Sequence, residues 1–179
     1  GKWHLGEGNV RQPGYDHWAG FPFVSAGFDT TLTVNGVATP TQGYTDYVVT
    51  EMAAEHIREV ASGEAPFLVY VGLCAPHHPY SYPPEDEEIL ADTFLPKPPT
   101  YDLTHEATGR HPAFANCAIT MEGFRGAIPQ FGSWENTAKS YYRSARTIDD
   151  SVGNVLSGLE DAGVLDNTIV LYTSDQGYS

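Results

Sequence analysis

Residues 66–73 read Pro66-Phe67-Leu68-Val69-Tyr70-Val71-Gly72-Leu73, an apolar run that ends at Cys74 and breaks at Ala75-Pro76-His77-His78-Pro79. It is too short for a helix and does not alternate, so the pattern predicts a strand covered on both faces. A second run of the same type, Thr168-Ile169-Val170-Leu171-Tyr172-Thr173, follows the turn at Asp166-Asn167 and leads into Ser174-Asp175-Gln176-Gly177. A helical pattern precedes each run. From Thr45, a candidate cap, Val49, Met52, Ala53, His56, Ile57 and Val60 recur at three- and four-residue steps toward Gly63. From Lys139, a stripe of Tyr141, Ala145, Ile148, Val152, Val155 and Leu159 predicts core packing, with Gly163 placed as a left-handed cap. Helix, strand, excursion, helix, strand is the order of an α/β fold with a mostly parallel central sheet and helical crossovers.

The first forty residues are rich in Gly, Pro and aromatics and predict loops with one hairpin, turning at Asn35-Gly36. Residues 80–134 hold many prolines and no sustained period. They predict a long surface excursion, with a turn or two of helix in Pro84–Asp92 and a solvated acidic face at Glu85–Glu88.

The chain has 179 residues, 23 Asp+Glu against 9 Lys+Arg and a formal net charge of −14. Counterion release from phosphates and attraction to anionic lipid both need a basic surface, so nucleic acid and anionic membrane are not expected partners. No apolar stretch approaches the ~20 residues of a membrane helix. The two cysteines, Cys74 and Cys117, form neither a disulfide framework nor a zinc spacing.

Ligands of open α/β sheets sit beyond the carboxyl ends of the strands. His77-His78 and Asp175-Gln176 fall at two such ends, and Lys2 and His4 open the chain. A carboxylate beside an amide oxygen suits calcium or magnesium, although an Asp-Gln pair after a strand is more often turn chemistry. Lys2, His4 and His77 supply a cation and proton-transfer groups for an oxyanion and its leaving group. His77-His78 between prolines is equally a rigid loop with a solvated pair. Cys74, closing an apolar strand, reads as a small buried hydrophobe, and His17, His56, His105 and His111 attract no functional assignment. Together the clusters point to an anionic-ester hydrolase.

The strings Gly1-Lys2-Trp3-His4-Leu5-Gly6, Gly43-Tyr44-Thr45-Asp46, Ala75-Pro76-His77-His78-Pro79 and Asp166–Val170 with Thr173–Gly177 resemble, in order, segments of the sulfatases of the alkaline-phosphatase superfamily. Asn35-Gly36, Phe94–Tyr101 and the Asp-Gln-Gly ending are most similar to the bacterial branch near N-acetylglucosamine-6-sulfatases and related glycan sulfatases, though choline- and iduronate-sulfatase-like enzymes share the scaffold. The resemblance implies an alkaline-phosphatase-like fold, of which residues 1–179 are the middle part of the catalytic domain and 80–134 its variable excursion. It implies that Lys2 contacts the sulfate, that His4 hydrogen-bonds the nucleophile and assists its release of sulfate, and that His77 touches the sulfate near the leaving oxygen. Asp175 and Gln176 match the last two ligands of a calcium ion, with magnesium as the alternative.

Sulfatases use a formylglycine made from Cys or Ser in a Cys/Ser-x-Pro/Ala-x-Arg motif. Neither Cys74-Ala75-Pro76-His77-His78 nor Cys117-Ala118-Ile119-Thr120-Met121 supplies its arginine, so the nucleophile is expected upstream of this chain. The expected substrate is a small-molecule or glycan sulfate ester, the expected location periplasmic or secreted, and the 179 residues alone are expected to be inactive. A phosphodiester or phosphonate monoester hydrolase on the same scaffold, or a non-catalytic sulfatase-like binding protein, remain the alternatives. The acidic far field slows anionic substrates, but salt screens it beyond about 8–10 Å, so the charges at the rim decide binding.

Overall fold

The computed structural model describes residues 1–6, 8–22, 27–99, 101 and 126–175. Gln176, Cys117, His105, His111 and much of the excursion lie outside the described residues.

The hairpin forms where the turn chemistry placed it. Strands β2 (Thr31–Val34) and β3 (Val37–Pro40) pair antiparallel, Val34 opposite Val37. Asn35 and Gly36 between them both take positive φ, 49° and 91°, the conformation that matches strand twist in a two-residue loop. The short β1 (Ala19–Gly20) adds to β2 on its other edge. Asn35 also fixes Trp18: its Oδ1 accepts from Trp18 N at 2.9 Å, and its own N donates to Trp18 O at 2.8 Å. Leu32 of this sheet packs with Phe21, with Val49 of the first helix and with Cys74 in one buried cluster.

Helix α1 spans Thr45–Val60 and helix α2 Trp134–Asp161, five residues earlier at its start than the apolar period indicated. Ser133 explains the earlier start, because its Oγ accepts from Asn136 N at 3.1 Å as an N-cap. Thr45 does not cap α1; Tyr44 holds that position without a side-chain bond, and Thr45 Oγ1 instead meets Thr30 Oγ1 at 2.7 Å. Gly163 takes φ 70°, and Val164 N donates to Leu159 O, closing α2 as expected.

The two helices lie side by side in constant register. Tyr44 Oη meets Thr147 Oγ1 at 3.1 Å, Tyr47 Oη donates to Asp150 Oδ2 at 2.7 Å, and Arg58 Nη2 pairs with Asp161 at 2.9 Å, every pair 103 residues apart. A constant offset means parallel helices. Parallel neighbours are what crossover connections produce, since each must return the chain to start the next parallel strand.

The buried face of α2 is not the apolar stripe. Of the stripe, Leu159 is buried as expected, but Tyr141, Ala145, Ile148, Val152 and Val155 are only half-buried, while the small residues Ser140, Ser144, Thr147, Ser151 and Gly158 are buried. Small residues let the backbones approach; a Cβ on Gly158 would lie 2.7 Å from Ala54 Cβ. Within the row Thr147 Oγ1 donates to Ser144 O at 2.7 Å, and from the same helix Asn154 Nδ2 donates across to Thr50 Oγ1 of α1 at 3.2 Å.

Both predicted buried strands differ from expectation. Residues 66–73 and 168–173 carry no strand pairing among the described residues, and Leu68 (90% exposed), Ile169 (88%) and Leu171 (87%) face solvent. In the first run Val71 packs on the buried cluster and Gly72 O accepts from Lys2 N, so that run is covered on one side, whereas Ile169 to Tyr172 of the second are exposed among the described residues. In the acidic run Glu85, Glu87 and Glu88 are exposed as expected, but Asp86, at the end of the 3-10 turn Pro84–Asp86, is buried and pairs with Arg146 at 3.2 Å. Among the described residues no helix is long and apolar enough to cross a membrane.

Candidate active site

The loop that carries His77 is anchored from below by Asp46. This residue sits in the first turn of α1, 1% exposed, and its carboxylate accepts from Cys74 N at 2.9 Å and Ala75 N at 2.8 Å. Burial pushes the Asp46 carboxyl above its ordinary range, while the two backbone N–H groups and the charge of Lys2 pull it back. In the sequence Asp46 stood only as the last residue of the string Gly43-Tyr44-Thr45-Asp46. The signal that could have exposed it is the burial of that turn by Tyr44 and Val49, which leaves a carboxylate there no water to bond.

Above the anchor the chain folds tightly. His77 N donates to Cys74 O at 2.8 Å and Tyr80 N to His77 O at 3.1 Å, with the Ala75-Pro76 and His78-Pro79 bonds both cis. Tyr80 is fully buried, its ring edge-on to His78 and stacked on Phe131 at 5.9 Å. Tyr44 holds the loop's exit, donating to Ser81 O at 3.0 Å, and burial raises its phenol pKa to about 12. Cys74 is 7% exposed within the core, consistent with a packing role.

His77 itself is exposed, and its Nδ1 lies 2.8 Å from His78 O. A carbonyl oxygen can only accept, so Nδ1 carries a hydrogen and, in the neutral ring, Nε2 keeps its lone pair.

Lys2 reaches the segment ahead of this loop through backbone pairing. Lys2 N donates to Gly72 O at 2.8 Å, and Lys2 forms a parallel bridge to Phe21. The approach requires glycine, because a Cβ on Gly72 would lie 2.6 Å from Lys2 O. Trp3 meets Tyr15, Trp18 and Tyr70 edge-on, at 5.3 to 6.5 Å, which fixes the strand between Lys2 and His4. His4 is exposed and Lys2 half-buried. The structure therefore places Lys2 beside the segment that leads into His77.

Asp175 is exposed at the end of the 168–173 run, with Ser174 Oγ donating to its carbonyl oxygen at 3.1 Å. The fold family implies a hard divalent cation here. One exposed carboxylate is suitable chemistry for it, but among the described residues no three acidic, His or Cys side chains gather to hold a metal. The described residues do not complete such a site.

The arrangement has relatives. The family model described as Sulfatase matches residues 1–179. N-acetylglucosamine-6-sulfatase of Homo sapiens is 25% identical over 92% of this chain, which spans 29% of that protein. Arylsulfatase K of Gallus gallus is 30% identical over 74% of the chain and 26% of its own length. Among solved structures, a protein solved in complex with its substrate D-glucosamine-2-N,6-O-disulfate superposes with a TM-score of 0.66 at 22% identity, covering 98% of this chain and 46% of that one. A Bacteroides fragilis protein described as a sulfatase gives 0.64 at 21% identity, covering 92% and 32%. These likenesses assign the alkaline-phosphatase-like α/β fold, and with the family match over its whole length the chain belongs to the sulfatase family.

Proposed function

We propose that this chain forms the leaving-group side of a sulfuric-ester hydrolase acting on sulfated sugars. The observation that carries the reading is the anchored loop of His77 with Lys2 paired beside its base, in a chain of the sulfatase family. The sugar preference is supported by relatives named for N-acetylglucosamine-6-sulfate chemistry.

In this reading the Lys2 ammonium neutralises sulfate oxygens and holds the ester against the rim. His77, its Nδ1–H fixed on His78 O, gives a proton from Nε2 to the departing alcohol oxygen, the step a poor alkoxide leaving group needs most. His4, exposed near Lys2 in sequence, hydrogen-bonds the attacking group. A formylglycine would supply the nucleophilic oxygen, and neither Cys74 nor Cys117 lies in its motif. Asp175 with Gln176 would give two oxygen ligands to calcium or magnesium, the others coming from beyond the described residues.

The test is sulfate release from N-acetylglucosamine 6-sulfate by the protein that joins this chain to a formylglycine segment, beside a phosphonate monoester of the same sugar. Preference for sulfate, abolished by Lys2→Ala, is the expected result. Preference for the phosphonate, or unaltered turnover in Lys2→Ala, would refute it. The 179 residues alone are expected to turn over no aryl sulfate.

A further inference from the structure

A depression of about 400 Å³ opens beside the His77 loop, between residues 82–91 and the first turns of α2. Two cations nearly withdrawn from solvent line it, Lys139 at 9% and Arg143 at 7% exposure. Each is tied to the facing backbone. Lys139 Nζ donates to Ala91 O at 2.9 Å and pairs with Glu135 at 3.0 Å. Arg143 Nε donates to Ile89 O at 3.0 Å, and its Nη1 to Tyr82 Oη and Glu87 Oε1, both at 3.2 Å. Those bonds use two of the three ammonium hydrogens and none on Arg143 Nη2, which has no partner among the described residues. The cleft thus offers N–H donors held at fixed positions.

On the facing segment stands the exposed Glu88 carboxylate, and one turn before Lys139 on the same helix lies Asn136, its Nδ2 donating to Phe131 O at 3.0 Å and its Oδ1 an acceptor, with the rings of Tyr82 and Phe131 as apolar walls. Two cations meet three carboxylates here, those of Glu87, Glu88 and Glu135, so the cleft has no surplus positive charge to bind an anion. Fixed donors, facing acceptors and aromatic planes suit a ring of hydroxyls, each of which both donates and accepts. The cleft also adjoins the candidate site: Phe131 stacks on Tyr80, whose N–H bonds to His77 O, and Tyr82 follows the Ser81 held by Tyr44.

We propose that this cleft binds an uncharged sugar residue, and, resting here on the sulfatase reading, that the residue belongs to a glycan whose sulfated unit lies at His77. The substrate is then an oligosaccharide rather than a free monosaccharide.

The test is an NMR titration of the full chain with a neutral N-acetylglucosamine disaccharide, following Tyr82, Glu88, Asn136 and the Arg143 guanidinium. Saturable shifts at these groups are expected. Glu88→Ala, an exposed position, should weaken the disaccharide about tenfold, equivalent to about 1.4 kcal/mol, with circular dichroism unchanged. Tyr82→Ala should remove the shifts. No saturable shift with the neutral disaccharide, or shifts only with a sulfated one, would overturn the proposal. Sulfate release is scored separately: binding without hydrolysis upholds the cleft and refutes the sulfatase reading, and hydrolysis without binding does the reverse.

Discussion

Segment 74–82 follows one apolar run and segment 168–175 contains the other, and each carries a candidate site residue, yet the first is bonded to distant buried residues and the apolar side chains of the second are exposed. Asp46, Tyr44 and the buried Tyr80 hold the first from three sides. In the second, Thr168 Oγ1 bonds back to Val164 O at 2.7 Å, and beyond it Ile169, Leu171 and Tyr172 are exposed. The difference teaches that a site's rim is made rigid by partners distant in sequence. Asp46 lies 28 residues from Cys74, and Tyr44 bonds Thr147 103 residues away.

The comparison breaks most sharply at Asp46. Asp46→Ala strands two buried N–H groups and is expected to cost about 2–4 kcal/mol in chemical denaturation, with Asp46→Asn, which keeps one acceptor oxygen, costing roughly half. An Asp46→Ala chain as stable as its parent would show that the loop holds itself.

Tyr44 gives the next largest effect, and only at high pH. Its native pKa is raised from 10.0 to about 12, so between these values the unfolded chain ionises while the native one does not. Stability from this group is full below pH 10 and falls as pH rises to 12, by on the order of 2–3 kcal/mol. Tyr44→Phe should flatten that part of a stability-versus-pH curve. An unchanged alkaline slope would place the phenol in water.

Beneath both segments lies the contact of the two helices. Gly158→Ala drives a Cβ to within 2.7 Å of Ala54 Cβ and is expected to cost about 1–3 kcal/mol by thermal melting. A neutral outcome would mean that the helices separate at that end with ease. The smallest effects belong to the exposed runs, where Leu68→Ser and Ile169→Ser in the 179-residue chain should stay within about 0.5 kcal/mol. A loss of 2 kcal/mol or more would show these runs covered, and would dissolve the contrast.

Elements set by local chemistry were readable from the sequence. The Asn35-Gly36 turn and the Gly163 cap need positive φ, which only a few residues tolerate, and both fell where expected. The helices were readable as helices, but the face of α2 was not. Its aliphatic stripe at Ile148, Val152 and Val155 outscored the row of Ser144, Thr147, Ser151 and Gly158 in hydrophobicity, while what that row packs against depends on Ala54 and Thr50 of another helix. The site was legible by the same division. Lys2, His4 and His77 stood out as chemistry within short strings, whereas Asp46 was hidden because its work is done on backbone N–H groups that no side-chain pattern reveals.

The central claim is that His77 serves the leaving oxygen. Its most direct test compares His77→Ala with the parent on a sugar 6-sulfate and on 4-nitrophenyl sulfate, in the protein that carries the nucleophile. The sugar alkoxide needs a proton to depart and the nitrophenolate does not, so kcat should fall about 10²–10⁴-fold on the sugar ester and far less on the aryl ester. Equal losses on both substrates, or none on the sugar ester, would contradict the account.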